Sequence, residues 1–468
     1  MYKFKFSVPR LTFLFKQTTS VLNEVLQFTS PVDKLLSNFF KIHKKIGQID
    51  RAFISESVFI IIKNKSLVEY FCGKNIGITI KSDKLLLAAL KIFQIVELSP
   101  EFINEINIKN NEKLWLQELP NFRDLFDENA SIPKNIQENI KPEILFSFPK
   151  FLYNKFLQIF NNNPQNLHKF LLFQNSSASL DLRVNTYKIK REKLVSKIFE
   201  ELPNLNKQNL QQTEFSPLGL RLVQKIALNK LSVFLNGEIE VQDQASQIIG
   251  LLVDAKRRQM VADFCAGAGG KTLLLGSQMQ NSGNLYAFDI DEKRLNRLKP
   301  RLARSGLSNI HPVKLSNLND NRLKRLAAKF DRVLVDAPCS GMGTLRRNPD
   351  LKWRQTPEKI SELTNQQQQI LNSASKLVKS GGRLIYATCS LLPEENAEQI
   401  HKFLQNQPNF KIVNIKNELS SAINNAEKFF AEIEKFPYFQ KIVENGFFTS
   451  IPQIHNCDGF FAAVLQKI

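Results

Sequence analysis

Two cysteines of this 468-residue chain stand where covalent chemistry could be done. Cys339 lies in Asp336-Ala337-Pro338-Cys339-Ser340-Gly341-Met342-Gly343-Thr344, directly after the apolar run Arg332-Val333-Leu334-Val335. Cys389 lies in Tyr386-Ala387-Thr388-Cys389-Ser390, after Arg383-Leu384-Ile385. Short apolar runs of this kind predict buried strands, and open α/β sheets bind their ligands outside the carboxyl ends of such strands. Two thiols on one sheet edge are therefore candidate nucleophiles. A third strand end, Cys265-Ala266-Gly267-Ala268-Gly269-Gly270-Lys271-Thr272, adds a glycine-rich turn. A cofactor loop beside two thiols points to covalent chemistry on a nucleobase.

The glycine turn matches neither common nucleotide motif. A P-loop needs glycine where Cys265 stands, and a dinucleotide fingerprint beginning at Gly267 needs glycine at Thr272. What remains is a strand, a glycine loop, a helix beginning near Lys271, and Asp289 at the end of the next strand. In a Rossmann-like site that carboxylate accepts hydrogen bonds from ribose hydroxyls, although alone it could simply cap the helix starting at Asp291. S-adenosylmethionine satisfies this pattern without a pyrophosphate, its carboxylate end facing the helix N-terminus. Residues Cys265, Ala266, Gly267, Ala268, Gly269, Gly270, Lys271 and Asp289 form the expected cofactor site, with Cys265 contributing backbone.

The elements that must position these residues follow from periodicity and punctuation. Strands are expected at 260–264, 284–289, 310–314, 332–336 and 383–388, alternating with helices, which predicts a mostly parallel sheet covered on both faces. The helix before the last of these has Thr356 as cap, Pro357 in its first turn and Gly381 after its end. Residues 459–468 read as a closing strand. Upstream, 179–189 alternates like a half-buried strand, a helix follows near 191–202, and 236–255 opens at a glycine turn and closes as an apolar helix. Asn161-Asn162-Asn163-Pro164 reads as a connector. In 46–71, Ile49, Phe53, Ile54, Val58, Ile61 and Ile62 recur at helical spacing, so the first 145 residues read as a helical bundle with a buried stripe.

Composition sets the class. Hydrophobic residues make up 43% and charged residues 23%, enough apolar material for real cores. Lys and Arg number 64 against 44 Asp and Glu, and the resulting net charge of +20 favours a polyanionic partner, with nucleic acid the natural candidate. Five scattered cysteines without a CxxC pair exclude a disulfide framework and suit a reducing cytosol. Cys72 and Cys457 read as small buried hydrophobes. The histidines form no ligand grouping, so no metal is expected. Lys3, Lys5, Arg10 and Lys16 interrupt the N-terminal apolar residues, and no window suits a membrane span.

The three motifs CAGAGGKT, DAPCSGMGTLRRNPDLKW and YATCSLLPEEN resemble those of the RsmB/Nop/Sun family of RNA cytosine-5 methyltransferases, and DLRVNT and EVQDQASQ resemble its upstream elements. The likeness covers about 170 to 468, and the stretch around GQIDRAFISESVF is similar to the NusB-like domain of the RsmB branch. The resemblance implies that Cys389 adds to cytosine carbon 6 and that Cys339 serves release. It gives Asp336 the cytosine N3 edge or a nearby cofactor group, Lys271 the base or loop, and Arg346 and Arg347 phosphate contacts. Where the family places an aspartate near the adenine this chain has Asn317, which predicts weakened rather than lost binding; a shifted alignment would use Asp320 instead.

The expected architecture is multidomain. Residues 1–145 form a helical NusB-like RNA-binding domain, 146–240 a linker helix and small α+β (RRM-like) subdomain, and 241–468 a Rossmann-like class I methyltransferase domain. The expected activity is S-adenosylmethionine-dependent methylation of cytosine carbon 5 in RNA, small-subunit ribosomal RNA first, by a cytoplasmic monomer. A transfer RNA enzyme and a non-catalytic ribosome-assembly factor are the alternatives; the latter would be expected to lose a thiol or Asp336, and all three are present. A DNA enzyme of this type would carry its nucleophile in the earlier Pro-Cys segment.

Overall fold

A computed structural model describes residues 4–73, 80–126, 140–223 and 226–468. The chain divides into two compact units, one of Met1–Leu157, Gln165–Asn175 and Leu345–Gln355, the other of Gln158–Pro164, Ser176–Thr344 and Thr356–Ile468.

The first unit is helical among its described residues. Helices Val8–Val25, Gln48–Lys63 and Ser82–Ile92 pack their apolar faces together, burying Leu14, Leu22, Phe53, Val58, Ile61, Leu86 and Leu90 completely. Of the expected stripe, Phe53, Ile54, Val58, Ile61 and Ile62 are buried, whereas Ile49, in the first turn, is 67% exposed. The helix breaks at Asn64, whose side-chain amide donates to the Ile60 carbonyl, and resumes as Lys65–Phe71. The late segment Leu345–Gln355 belongs to this unit. Trp353 Nε1 donates to the Ile62 carbonyl (2.7 Å) and Lys352 Nζ to the Lys63 carbonyl (2.8 Å), which satisfies carbonyls that a helix C-terminus leaves unpaired. Lys352 also donates to Asn175 Oδ1 (3.0 Å) and lies over the Phe148 ring, and burial pushes its ammonium pKa well down.

The second unit holds two sheets. The smaller contains β1 (Leu180–Val184), β2 (Leu210–Gln212), β3 (Gly219–Leu222) and β4 (Ile239–Val241) in the order β2-β3-β1-β4, all antiparallel. With helices Arg191–Glu201 and Ser232–Leu235, its chain order is β-α-β-β-α-β, a split βαβ arrangement. Two expectations shift here. The strand read over 179–189 stops at Val184, because Asn185 turns the chain and donates to the Gly237 and Ser305 carbonyls. The stretch 236–255 is a strand and then a helix, Gln244–Leu252, which Asp243 caps through the Ala245 amide.

The larger sheet contains β5 (Met260–Asp263), β6 (Asn284–Asp289), β7 (Ile310–Lys314), β8 (Phe330–Asp336), β9 (Val378–Thr388), β10 (Phe410–Val413), β11 (Phe448–Ser450) and β12 (Phe460–Lys467). Its order is β10-β12-β9-β8-β5-β6-β7, with β11 also paired to β12. β5 to β9 run parallel, and β12 lies antiparallel to β9. This is a Rossmann-like α/β core with all five expected parallel strands and the closing strand. Thr356 caps helix Pro357–Ser375 through the Lys359 amide, as its sequence suggests. Gly381 does not end that helix; it lies inside β9 with φ of 72°, where the register against β8 shifts. The extra residues form a bulge there, the other use of a glycine that permits positive φ. β10 and β11 were outside the expectations, being too short to show a period.

The chain leaves β5 for β6 and β7 on one side, then returns to β8 and β9 on the other. Strand order therefore reverses between β5 and β8, and the crevice at the carboxyl ends of these strands is where such sheets take ligands.

Candidate active site

The loop after β5 is held open by its own backbone and by charges beneath it. Gly269 is left-handed (φ 82°) and precedes helix Gly270–Gln278; a Cβ there would lie 2.1 Å from Leu298 Cδ1. Buried Asp289 accepts from the Gly267 amide through Oδ2 and the Asp291 amide through Oδ1 (both 2.8 Å). It thus braces two loops, and each oxygen keeps capacity for a hydroxyl donor. Arg301 donates to the Ala268 carbonyl (2.7 Å) and Arg183, from β1, to the Gly270 carbonyl (2.6 Å) and Gln242 Oε1 (2.6 Å). Glu240, on β4, receives both Arg301 and Arg304. Arg183 is 1% exposed, and burial lowers its pKa to about 10. The smaller sheet therefore supports the glycine loop from below. Arg183 and Glu240 stood inside the quoted upstream motifs, but only the tertiary contact gives them this job.

Asp263, at the end of β5, accepts from Thr272 through Oδ2 (2.7 Å) and has no partner at buried Oδ1. Burial raises its pKa to about 7. The thiol of Cys265 is pushed well up by burial and by the carboxylates of Asp263, Asp289 and Asp336. The next residue ties the loop to the neighbouring strand, Ala266 N donating to the Phe288 carbonyl. A glycine cradle with Gly267 and Gly269 at positive φ, a helix N-terminus and a braced carboxylate with spare acceptor sites fit S-adenosylmethionine.

Parallel pairing of β8 and β9 places Asp336 beside Ala387 and brings the two thiol loops together. Cys339 Sγ lies 3.1 Å from Cys389 Sγ, and Gly343 N donates to the Cys389 carbonyl (2.9 Å). The loop also packs tightly on the start of β12: a Cβ at Gly343 would fall 1.9 Å from the Gly459 carbonyl oxygen. The hydrogen bond to Cys389, then burial and the charges of Cys389 and Glu395, push the Cys339 thiol well above its ordinary pKa. Asp336, 31% exposed at its side chain, receives Lys271 Nζ on Oδ2 (2.7 Å). Lys271 is not a solvent-facing cation; it is buried and sits over the Phe460 ring. Behind the thiols, fully buried Glu395 accepts from Ser340 N (2.8 Å), Ser340 Oγ (2.5 Å) and Gln367 Nε2 (3.0 Å). Asn396 ties Thr388 to the Ser390 carbonyl. Neither Glu395 nor Asn396 was singled out from sequence, since polar residues after a proline read as a solvated turn.

After β7, Asn317 is exposed and its Oδ1 accepts from the Asn319 amide. Asp320 is committed elsewhere: it caps helix Asn321–Arg325, accepts from Ser316, and is held far below the ordinary carboxylate range by Arg322. Arg346 and Arg347 fall in the segment that joins the helical unit. Arg346 is buried with its guanidinium 4.1 Å over the Phe173 ring, so packing, rather than an open phosphate contact, accounts for it; Arg347 is half-buried. Among the described residues no cluster could hold a metal ion, and no helix is long and apolar enough to cross a membrane.

Comparison with known proteins agrees with this geometry. The family model "16S rRNA methyltransferase RsmB/F" matches residues 250–466. "Probable ribosomal RNA small subunit methyltransferase B" of Synechocystis sp. is 35% identical over 339 residues, 71% of this chain and 70% of that protein. "Ribosomal RNA small subunit methyltransferase B" of Pasteurella multocida is 31% identical over 323 residues, 68% and 65% of the two chains. Among solved structures, PH0851 matches the full length of both chains with a TM-score of 0.73 at 24% identity, a likeness of fold. A methyltransferase homologue from Pyrococcus horikoshii matches 70% of this chain and 98% of its own with a TM-score of 0.56 at 25% identity. The chain belongs to the RsmB/F family of S-adenosylmethionine-dependent RNA methyltransferases.

Proposed function

We propose that this enzyme methylates carbon 5 of a cytosine in small-subunit ribosomal RNA through a covalent cysteine–cytosine adduct. The observation that carries the reading is the thiol pair, 3.1 Å apart, at the same strand ends as the Lys271–Asp336 pair and the glycine loop. Bound S-adenosylmethionine supplies an electrophilic methyl group. Cys389 adds as thiolate to carbon 6, which makes carbon 5 electron-rich enough to take that methyl. Lys271 holds Asp336 by one oxygen, leaving Oδ1 to accept from N3, which takes a proton from water as charge builds there and returns it when the cysteine departs. After transfer the carbon 5 proton passes to solvent water, its bonding pair restores the ring double bond, and the pair of the carbon–sulfur bond returns to Cys389. Cys339 assists that departure by donating its S–H to the leaving sulfur. Neither thiol could reach carbon 6 within a base stack, so the base is extruded.

Asp289 receives the ribose hydroxyls, the 265–271 loop the methionine end, and Asn317 the adenine edge. Residues 1–145 act as a NusB-like RNA-binding domain, 146–240 as a linker and RRM-like positioning subdomain, and 241–468 as the catalytic domain of a cytoplasmic monomer. Net charge +20 supports docking on phosphates, with Arg347 among those contacts, while Lys271 helps fix the base or the motif loop.

The test is to incubate Cys339→Ala protein with S-adenosylmethionine and bulk RNA. A denaturation-resistant protein–RNA adduct that vanishes in Cys339→Ala/Cys389→Ala, with sequencing of the trapped RNA showing a small-subunit cytosine, is expected. An adduct that survives loss of Cys389 overturns the nucleophile; trapped transfer RNA overturns the substrate.

A further inference from the structure

Each thiol is followed by a serine, and the two hydroxyls meet: Ser340 Oγ and Ser390 Oγ are 3.2 Å apart. Both serines are buried beside the thiols, and Ser340 donates to Glu395. Glu395 receives Ser340 twice, through backbone N–H and hydroxyl, and Gln367 once; Gln367 Nε2 also donates to the Pro338 carbonyl (2.9 Å). Its own backbone carbonyl receives the Tyr386 hydroxyl (2.7 Å) from β9. The Glu395 carboxylate thus grips Ser340 directly and reaches Pro338 through Gln367, while the Glu395 backbone is pinned to the strand that leads into Cys389.

We infer that Glu395 is a positioning residue that fixes the two thiols against each other and decides that the proton between them resides on Cys339. The inference rests on the roles proposed for Cys389 and Cys339. A buried carboxylate with three donors remains an acceptor, since ionised oxygens accept only. Its negative charge disfavours a second anion at Cys339, the nearer of the two loops. The groups acting on Cys339 are Cys389, the residue after β9, Tyr386 within β9 and Glu395 from the turn that follows; helix Pro357–Ser375 presents the neutral amide of Gln367 to the Pro338 carbonyl. Besides Cys389, the negative charge that acts on Cys339 is that of Glu395. Two chemically identical thiols therefore differ because one sits on a carboxylate: Cys339 keeps its hydrogen and offers it to Cys389 sulfur, as a leaving thiolate requires.

Glu395→Gln separates charge from shape. In the full-length variant, small-reagent alkylation of Cys339, followed by peptide mass spectrometry across pH, is expected to begin at lower pH than in the wild type. Product release is expected to slow by about ten- to a hundred-fold, with adduct accumulating. Melting temperature and S-adenosylmethionine binding are measured alongside. Alkylation and release profiles that coincide with the wild type overturn the inference. If Cys339→Ala traps an adduct while Glu395→Gln behaves as wild type, only the role of Glu395 fails; if Cys339→Ala traps none, the underlying reading fails. Should Glu395→Gln not fold, Ser340→Ala keeps the carboxylate and its backbone donor: accumulated adduct then supports the inference, and release at the wild-type rate overturns it.

Discussion

The cofactor end and the thiol end of one sheet edge are built in opposite ways. At β5 and β6 the working surface is backbone: a left-handed glycine packed on Leu298, and carbonyls held from below by Arg183 and Arg301. At β8 and β9 the working groups are side chains, and other side chains set them: Glu395, Ser340, Ser390, Gln367 and Asn396. A loop of amides can bind a ligand in several slightly different poses. Under the proposed mechanism one sulfur must reach a ring carbon while the other stays within hydrogen-bond reach of it, and that tolerates far less, because a displacement of about 1 Å costs on the order of a hundred-fold in rate. The buried network lies where that tolerance is smallest.

Substitutions can break this contrast. Cys389→Ala is expected to lower methyl transfer on the order of 10⁴-fold or more at any cofactor concentration, measured by single-turnover transfer to RNA. Arg183→Met leaves the Gly270 carbonyl and Gln242 Oε1 without their donor, at about 1–3 kcal/mol for each buried group. Its activity should return at saturating S-adenosylmethionine, as titration calorimetry and rate measurements would show; loss that cofactor cannot restore would erase the distinction between the two ends. Gly269→Ala should cost about 1–3 kcal/mol in thermal stability from backbone strain alone, with crowding against Leu298 weakening cofactor affinity further.

Asp263→Asn gives the one favourable effect. The wild-type carboxyl has a folded pKa of about 7 against an ordinary 3.8, so below 3.8 it is protonated in both states and costs nothing. As pH rises through that window the unfolded chain ionises first and the folded state loses ground. Asparagine can still accept from Thr272, so the variant should melt above the wild type near pH 7, with the gap closing toward pH 4. A gap independent of pH would show that the carboxyl does not titrate between those limits.

Legibility followed the same divide. The glycine loop, Asp289 and both thiol strands could be read because tight turns and buried strands restrict residue type locally. Gly381 misled, since positive φ suits a bulge as well as a helix end. Arg346 misled because a basic pair after a loop looks solvent-facing until Phe173 packs on it. Glu395 was unreadable: the second of two glutamates after a proline becomes a buried anchor only when Ser340 and Gln367, distant in sequence, close around it.

Local sequence by itself determined the strand ends, the glycine turn and the family, because motif spacing and hydrophobic period are properties of contiguous residues. Tertiary structure alone decided that Cys339 and Cys389 touch, that Arg183 supports a loop on another sheet, and that one carboxylate makes two like thiols unlike. Burial causes the difference: removed from water, a charge must find its partners wherever in the chain the fold brings them.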